Sequence, residues 1–141
     1  MKRGPGKSHC PINFALELFG DPWTLLIVRD VMLLKKRRFK DFLESPEGIA
    51  TNILTDRLAR LEQHGIVEKL CDLYYVTEKG LDLLPVIAEI SAWGSKYDPK
   101  TASPKRLVAL ARTNPARYRK EIRAIAMGTR KPPSGDGDGR S

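Results

Sequence analysis

One stretch constrains this chain more than any other: Gly48-Ile49-Ala50-Thr51-Asn52-Ile53-Leu54-Thr55-Asp56-Arg57-Leu58-Ala59-Arg60-Leu61-Glu62-Gln63-His64-Gly65-Ile66-Val67. Leu54, Leu58 and Leu61 form one apolar stripe at spacings of four and three, the signature of a helix with one buried side. Asn52, Thr55, Asp56, Ala59, Arg60 and Gln63 fall on the opposite side. Thr51 is a candidate N-cap, with Ala50 or Gly48 as alternative starts, and Gly65 stops the helix before a short strand. Short hydrogen-bonding side chains with an arginine behind them equip a helix to lie in a DNA major groove.

The flanking segments complete the pattern. Pro11 to Phe19 reads as a first helix, with Ile12, Ala15, Leu16 and Phe19 on one face. Asp21 can cap the next helix and Pro22 suits its first turn. Trp23 to Leu34 is strongly apolar and should be the most buried helix. The basic turn Lys35-Lys36-Arg37-Arg38 leads into a short helix, Phe39 to Glu44, and Ser45-Pro46-Glu47-Gly48 turns the chain into the leucine-striped helix. Ile66 to Leu70 and Leu73 to Val76 read as strands joined tightly by Cys71-Asp72, a stubby hairpin. Thr77-Glu78-Lys79-Gly80 opens a helix running to about Tyr97, with Pro85 as a kink point. The expected fold class is mainly α with a small β-hairpin wing: a winged helix-turn-helix spanning 10–98.

Residues 1–9 read as a disordered basic arm. Residues 99–141 read as a basic extension, helical over Ser103 to Met127 with a break at Asn114-Pro115, then low-complexity and disordered. The formal charge is +8, but residues 1–100 hold 15 Lys/Arg against 14 Asp/Glu, whereas residues 101–141 hold 10 against 3. The basic character therefore sits in the tail and is weak evidence for DNA binding by the domain itself.

Several classes are disfavoured. No window approaches 18 uncharged apolar residues, so no membrane span is expected. The apolar stretch after the basic N-terminus is broken by Glu17 and Asp21, which makes a poor signal peptide. Two cysteines, Cys10 and Cys71, are too few for a disulfide scaffold and suit a reduced cytoplasmic protein. Paired carboxylates, a Ser/His/Asp set, a phosphate-cradling glycine loop and a metal cluster are all lacking, so neither an enzyme nor a cofactor is expected. His9 beside Cys10 does not make a metal site by itself.

A family resemblance emerges from the motifs in order. Cys10-Pro11, Leu16, Phe19-Gly20 and Trp23 to Asp30 come first. Arg38-Phe39-Lys40-Asp41-Phe42, Ile49 to Leu54, Arg57-Leu58 with Leu61-Glu62, and Thr77 to Gly80 follow. Over Cys10 to Tyr97 the chain resembles the HxlR-type winged-helix transcriptional regulators, relatives of the MarR type. The resemblance implies a bacterial cytoplasmic repressor or activator, a homodimer paired through the first and last helices of the domain, on an inverted-repeat operator in double-stranded DNA. Two departures stand out: Pro22 replaces a basic residue common before the tryptophan, and the hairpin lacks a longer arginine-bearing wing.

The DNA-binding candidates are Thr51, Asn52, Thr55, Arg57, Arg60, Arg37, Arg38, Lys40 and Lys69. Asn52 and Thr55 either read base edges, asparagine suiting adenine, or merely solvate a helix end. Thr51 binds a phosphate or caps the helix. Arg60 reaches a phosphate or a guanine. Arg57 serves DNA or forms an internal ion pair with Glu44 or Asp30. Lys35 to Lys40 holds five cations in six positions, which is either a solvated turn or a phosphate clamp supplied by one or two of them. Lys69 and Lys79 lie near the wing. In some members of the family the cysteine before the proline senses oxidants or electrophiles, and a helix N-terminus favours a thiolate at Cys10. The alternative is a small residue packed at the dimer interface. The competing functional reading is a basic nucleic-acid-associated module without operator specificity, driven by the tail.

Overall fold

A computed structural model describes residues 7–102 and 105–127. The arm before Lys7 and the low-complexity end after Met127 lie outside the described residues. The elements, in order, are α1 (Pro11–Phe19), α2 (Thr24–Met32), α3 (Phe39–Leu43), α4 (Thr51–Gln63), β1 (Val67–Leu70), β2 (Leu73–Val76), α5 (Glu78–Leu81), α6 (Leu84–Tyr97), α7 (Lys105–Thr113) and α8 (Pro115–Met127).

Helix α2 is the hub. It touches α1, α4, α8 and β2, and Ile27, Val28, Val31 and Met32 are buried in it. Leu54, Leu58 and Leu61 of α4 pack into the same core, with Phe42 of α3 and Val67, Tyr74 and Val76 of the hairpin. Their stripe spacing decides which side of α4 is buried and therefore which side meets solvent.

The hairpin is antiparallel, with Val67 opposite Val76 and Leu70 opposite Leu73. Cys71 and Asp72 both adopt left-handed conformations, φ 49° and 62°. That is the backbone a two-residue hairpin loop demands, because its twist matches the strands. The wing is therefore as short as a hairpin can be made.

The single helix expected from Glu78 to Tyr97 is two helices. Asp82 ends α5, and Pro85 stands in the first turn of α6 rather than kinking its interior. A proline there forfeits no helical hydrogen bond, since the first turn has no intrahelical acceptor for its N–H groups. Thr77 caps α5 by accepting the Gly80 N–H at 3.0 Å.

The chain beyond Asp98 folds back on the rest. Tyr118, Ile122 and Ala126, spaced four apart on α8, are buried in the core that α2 and the hairpin share. Arg119 pairs with Asp82 at 2.7 Å and Arg123 with Glu78, so the basic face of α8 meets acidic groups of the α5 region.

Gly80 sits where α5 crosses the start of the hairpin. A Cβ there would strike the Ile66 carbonyl oxygen and the Val76 side chain. Backbone cannot yield as a flexible side chain does, so Gly80→Ala should lose about 1–3 kcal/mol despite its better helix propensity. Urea unfolding reads this as a lower midpoint with an unchanged slope.

Candidate nucleic-acid interface

The interface is built on α3, the turn after it and α4. Gly48 in that turn has φ +69°, a conformation side chains other than glycine rarely adopt. The turn is also held from below. Asp30 of α2 is 3% exposed, and Ser45 donates its hydroxyl to Asp30 Oδ2. Arg29 donates to Asp30 Oδ1 from Nε and Nη2 at 2.9 and 2.8 Å, and from Nη2 to Glu47 Oε1 at 2.6 Å. The Arg29 hydrogen bond holds the Glu47 carboxyl below its ordinary range against the opposing effect of partial burial. Lys36 completes the cluster through Ser45.

Helix α4 begins after Ala50, which has no capping side chain, so its first-turn N–H groups face outward without a side-chain acceptor. Thr51, Asn52, Thr55, Asp56, Ala59, Glu62 and Gln63 are exposed. Thr55 donates its hydroxyl to the Thr51 carbonyl at 2.9 Å, which keeps its oxygen outward as an acceptor. The far end of α4 is tied down: Lys79 donates to the His64 carbonyl at 2.7 Å, and Thr77 donates to the Gly65 carbonyl. Gly65 itself has φ +72°, the left-handed position that ends a helix.

Three arginines among the candidates have intramolecular partners. Arg57 is half-buried and donates from Nε to Asp21 Oδ2 at 3.1 Å and from Nη1 to Asp56. Its expected partners were Glu44 or Asp30, but Asp30 is already saturated by Arg29 and Ser45. Arg60 donates from Nη2 to the Glu17 carbonyl at 3.1 Å, at the open C-terminal end of α1. Arg37 turns inward: it donates to the Val31 carbonyl at 2.7 Å and the Ala126 carbonyl at 2.9 Å. Its Cζ lies 5.0 Å from the Tyr75 ring centre, and burial pushes its pKa down. A guanidinium so placed binds helix ends to one another rather than facing a phosphate.

The exposed cations are different residues. Arg38 and Lys40 stand in solvent at the start of α3, with Lys35 beside them. Arg38 precedes α3, where Asp41 accepts its backbone N–H at 3.0 Å. Lys69 projects from the wing, 3.6 Å from Asp72 and 5.6 Å from the Tyr74 ring centre. Cys10 is exposed and is the N-cap residue of α1. Lys7 pairs with Glu17 at 3.4 Å.

Sequence reading offered Asp30 as a partner for Arg57 and passed over the other polar groups holding the turn, Arg29, Ser45 and Glu47. The available signal was an Arg-Asp pair inside an otherwise apolar helix, since a charge on a buried face requires a partner.

A three-element helix-turn-helix with an outward polar helix and an adjoining hairpin defines a winged helix-turn-helix DNA-binding protein. The family described as HxlR-like helix-turn-helix matches residues 18–102. YodB, an HTH-type transcriptional regulator of Bacillus subtilis, is 34% identical over 100 residues, covering 65% of this chain and 88% of YodB. Quinone-bound YodB has a TM-score of 0.55 and 37% identity to this chain, over 62% of it and 100% of the YodB chain. PA1607 has a TM-score of 0.60 and 35% identity, over 70% of this chain and 73% of that one. The chain belongs to the HxlR-like helix-turn-helix family of transcriptional regulators. No helix among the described residues is long and apolar enough to cross a membrane.

Asp21 links α4 to the start of α2 and gives the fold a pH signature. Burial raises its carboxyl, but hydrogen bonds from the Thr24 hydroxyl, the Trp23 N–H, Arg57 and the Thr24 N–H outweigh that and hold it at about 2, below the ordinary 3.8. A depressed carboxyl stabilises the fold above its unfolded pKa and loses that contribution as pH falls through the folded value. Asp21→Asn should therefore cost about 2 kcal/mol at neutral pH. The gap between variant and parent should close as pH falls from about 4 to about 2, followed by urea unfolding across that window.

Proposed function

We propose that this regulator is sequence-specific and binds an inverted-repeat operator as a homodimer, with α4 of each subunit in a major groove. The observation that carries the reading is the outward face of α4: Asn52 and Thr55 are exposed on a helix whose other side is locked by Leu54, Leu58 and Leu61. Asn52 and Thr55 then read base edges, and Thr51 with the open N-terminus of α4 takes a phosphate. Arg38, Lys40 and Lys69 neutralise further phosphates and orient the duplex. Arg37, Arg57 and Arg60 serve as positioning residues through their internal bonds.

Dimerisation is supported by two unburied apolar faces. Helix α1 has no buried residue and exposes Ile12, at 68%, with Phe14 and Leu16; α6 exposes Ile90, Trp93, at 69%, and Tyr97. Large apolar side chains left in solvent in this way mark an association surface. Two α4 helices one turn of duplex apart, about 34 Å, would meet successive half-sites. Such a regulator acts in the cytoplasm, on the nucleoid.

Selection of genomic DNA by the purified protein should enrich one inverted repeat. On that repeat, Asn52→Ala should weaken binding about 10-fold or more without changing affinity for a scrambled duplex. Arg38→Ala should weaken both and lower the salt slope by about 1. Uniform, salt-sensitive binding without a motif would overturn the proposal in favour of a nonspecific basic module. Because α8 is part of the core, the readings are separated not by deleting everything after Lys100 but by replacing the exposed cations Lys105, Arg112 and Lys120 with Gln: a specific regulator keeps its operator preference, whereas a nonspecific basic module loses most of its affinity.

The same reading extends to Cys10 as a site of electrophile or oxidant response, supported by its exposure ahead of α1 and by the quinone-bound state of YodB. Attack of the thiolate on a quinone ring carbon forms a C–S bond. The ring takes up a proton and becomes a hydroquinone thioether, the quinone being reduced at the expense of the thiolate. Intact mass after benzoquinone treatment should rise by one quinone, and Cys10→Ser should abolish the adduct while Cys71→Ser retains it. Equal labelling of both variants would remove Cys10 from the role.

A further inference from the structure

We infer that Arg60 and Arg57 determine which half-site spacing the dimer accepts, by locking α4 to α1, the helix whose apolar side chains face the second subunit. The inference rests on the proposed homodimer and deepens it: it names the residues that fix how far apart the two α4 helices are held.

Helix α1 buries no residue and reaches the core through Leu18, while Ile12, Phe14 and Leu16 stand in solvent. Without a buried stripe, a helix is not gripped along its length. Two grips come from α4 instead. Arg60 Nη2 donates to the Glu17 carbonyl at 3.1 Å and lies 3.5 Å from the Leu18 carbonyl. Both carbonyls belong to the last turn of α1, which lacks intrahelical donors for them and attracts a cation. Arg57 Nε donates to Asp21 Oδ2 at 3.1 Å, and the same carboxylate accepts the Trp23 and Thr24 N–H groups at the start of α2. Arg57 and Arg60 are three apart on α4 and therefore share one side of it. That side is the flank between the leucine stripe and the face holding Asn52 and Thr55.

A dimer fixes α1 of each subunit relative to the two-fold axis. Whatever fixes α4 to α1 then fixes the distance between the two α4 helices. The duplex is a strict ruler: one extra base pair between half-sites moves them about 3.4 Å apart and turns one about 35° around the axis relative to the other. Two guanidiniums, each a planar fork of donors, resist a shift of that size better than a flexible point charge does. Their task needs no contact with DNA.

The test measures affinity of the full-length protein for the selected inverted repeat and for versions whose centre is one base pair longer or shorter. The parent should prefer its own spacing roughly 10-fold or more. Arg60→Ala and Arg57→Ala should each cut that preference to roughly 2-fold by losing affinity at the parental spacing, with base preference inside each half-site unchanged. Arg38→Ala, which removes a cation that positions the duplex, should weaken all spacings alike and keep the preference. Circular dichroism and sedimentation establish that each variant is a folded dimer; a monomeric Arg60→Ala would make the residue part of the assembly surface and overturn the inference. A preference retained in either variant, a parent indifferent to spacing, or uniform weakening at every spacing in Arg60→Ala, as a direct phosphate contact would give, would overturn it too. Selection that yields no inverted repeat sinks the proposed function itself, so the two failures are told apart.

Discussion

A buried carboxylate organises the half of the molecule that carries α3 and α4. Asp30 lies at 3% exposure in the last turn of α2, the most deeply buried helix, where an isolated charge is untenable. Its oxygens are met by Arg29 at 2.8 and 2.9 Å and by the Ser45 hydroxyl. Ser45 and Glu47 belong to the turn that aims α4. Satisfying one charge therefore ties the turn before α4 to α2. Every group in the cluster has a geometric task, so the turn cannot relax without exposing or orphaning Asp30.

A second layer of constraint comes from arginines used as internal clamps. Helix C-termini present carbonyls without intrahelical donors, and a guanidinium offers several N–H groups in a rigid fork. Arg60 reaches such carbonyls at the end of α1, and Arg37 reaches those of Val31 and Ala126. Arg57 does the same with the Asp21 carboxylate, which already holds the first turn of α2. The contact between Arg37 and α8 matters most for architecture. It joins the end of α8 to the turn that precedes α3, so α8 supports the frame that carries α3 and α4.

The exposed apolar side chains divide the surface by role. Those of α1 and α6 stand in solvent, although Leu18 of α1 packs against the core. The wing is too short to present a long arm, and Lys69 is its basic contribution. On the proposed reading, with the wing reduced to a two-residue loop, discrimination falls on the outward face of α4, and the cations at the start of α3 position the duplex.

The order of the helices, the hairpin and its turn, and the buried stripe of α4 were legible in the sequence because each is a local property. Leu54, Leu58 and Leu61 can share one side only in a helix, and Cys71-Asp72 leaves room only for a tight loop. The same periodicity decided which α4 residues would be exposed, Asn52 and Thr55 among them. What the sequence could not decide was the partner of each long charged side chain. Arg37, Arg38 and Lys40 are alike as residue types, yet Arg37 faces three carbonyls and the other two face solvent. That difference depends on Ala126, 89 positions away, which only the packed chain brings near. The break between α5 and α6 and the burial of Tyr118 have the same origin. They follow from how distant helices meet in space, and no local pattern encodes that distance.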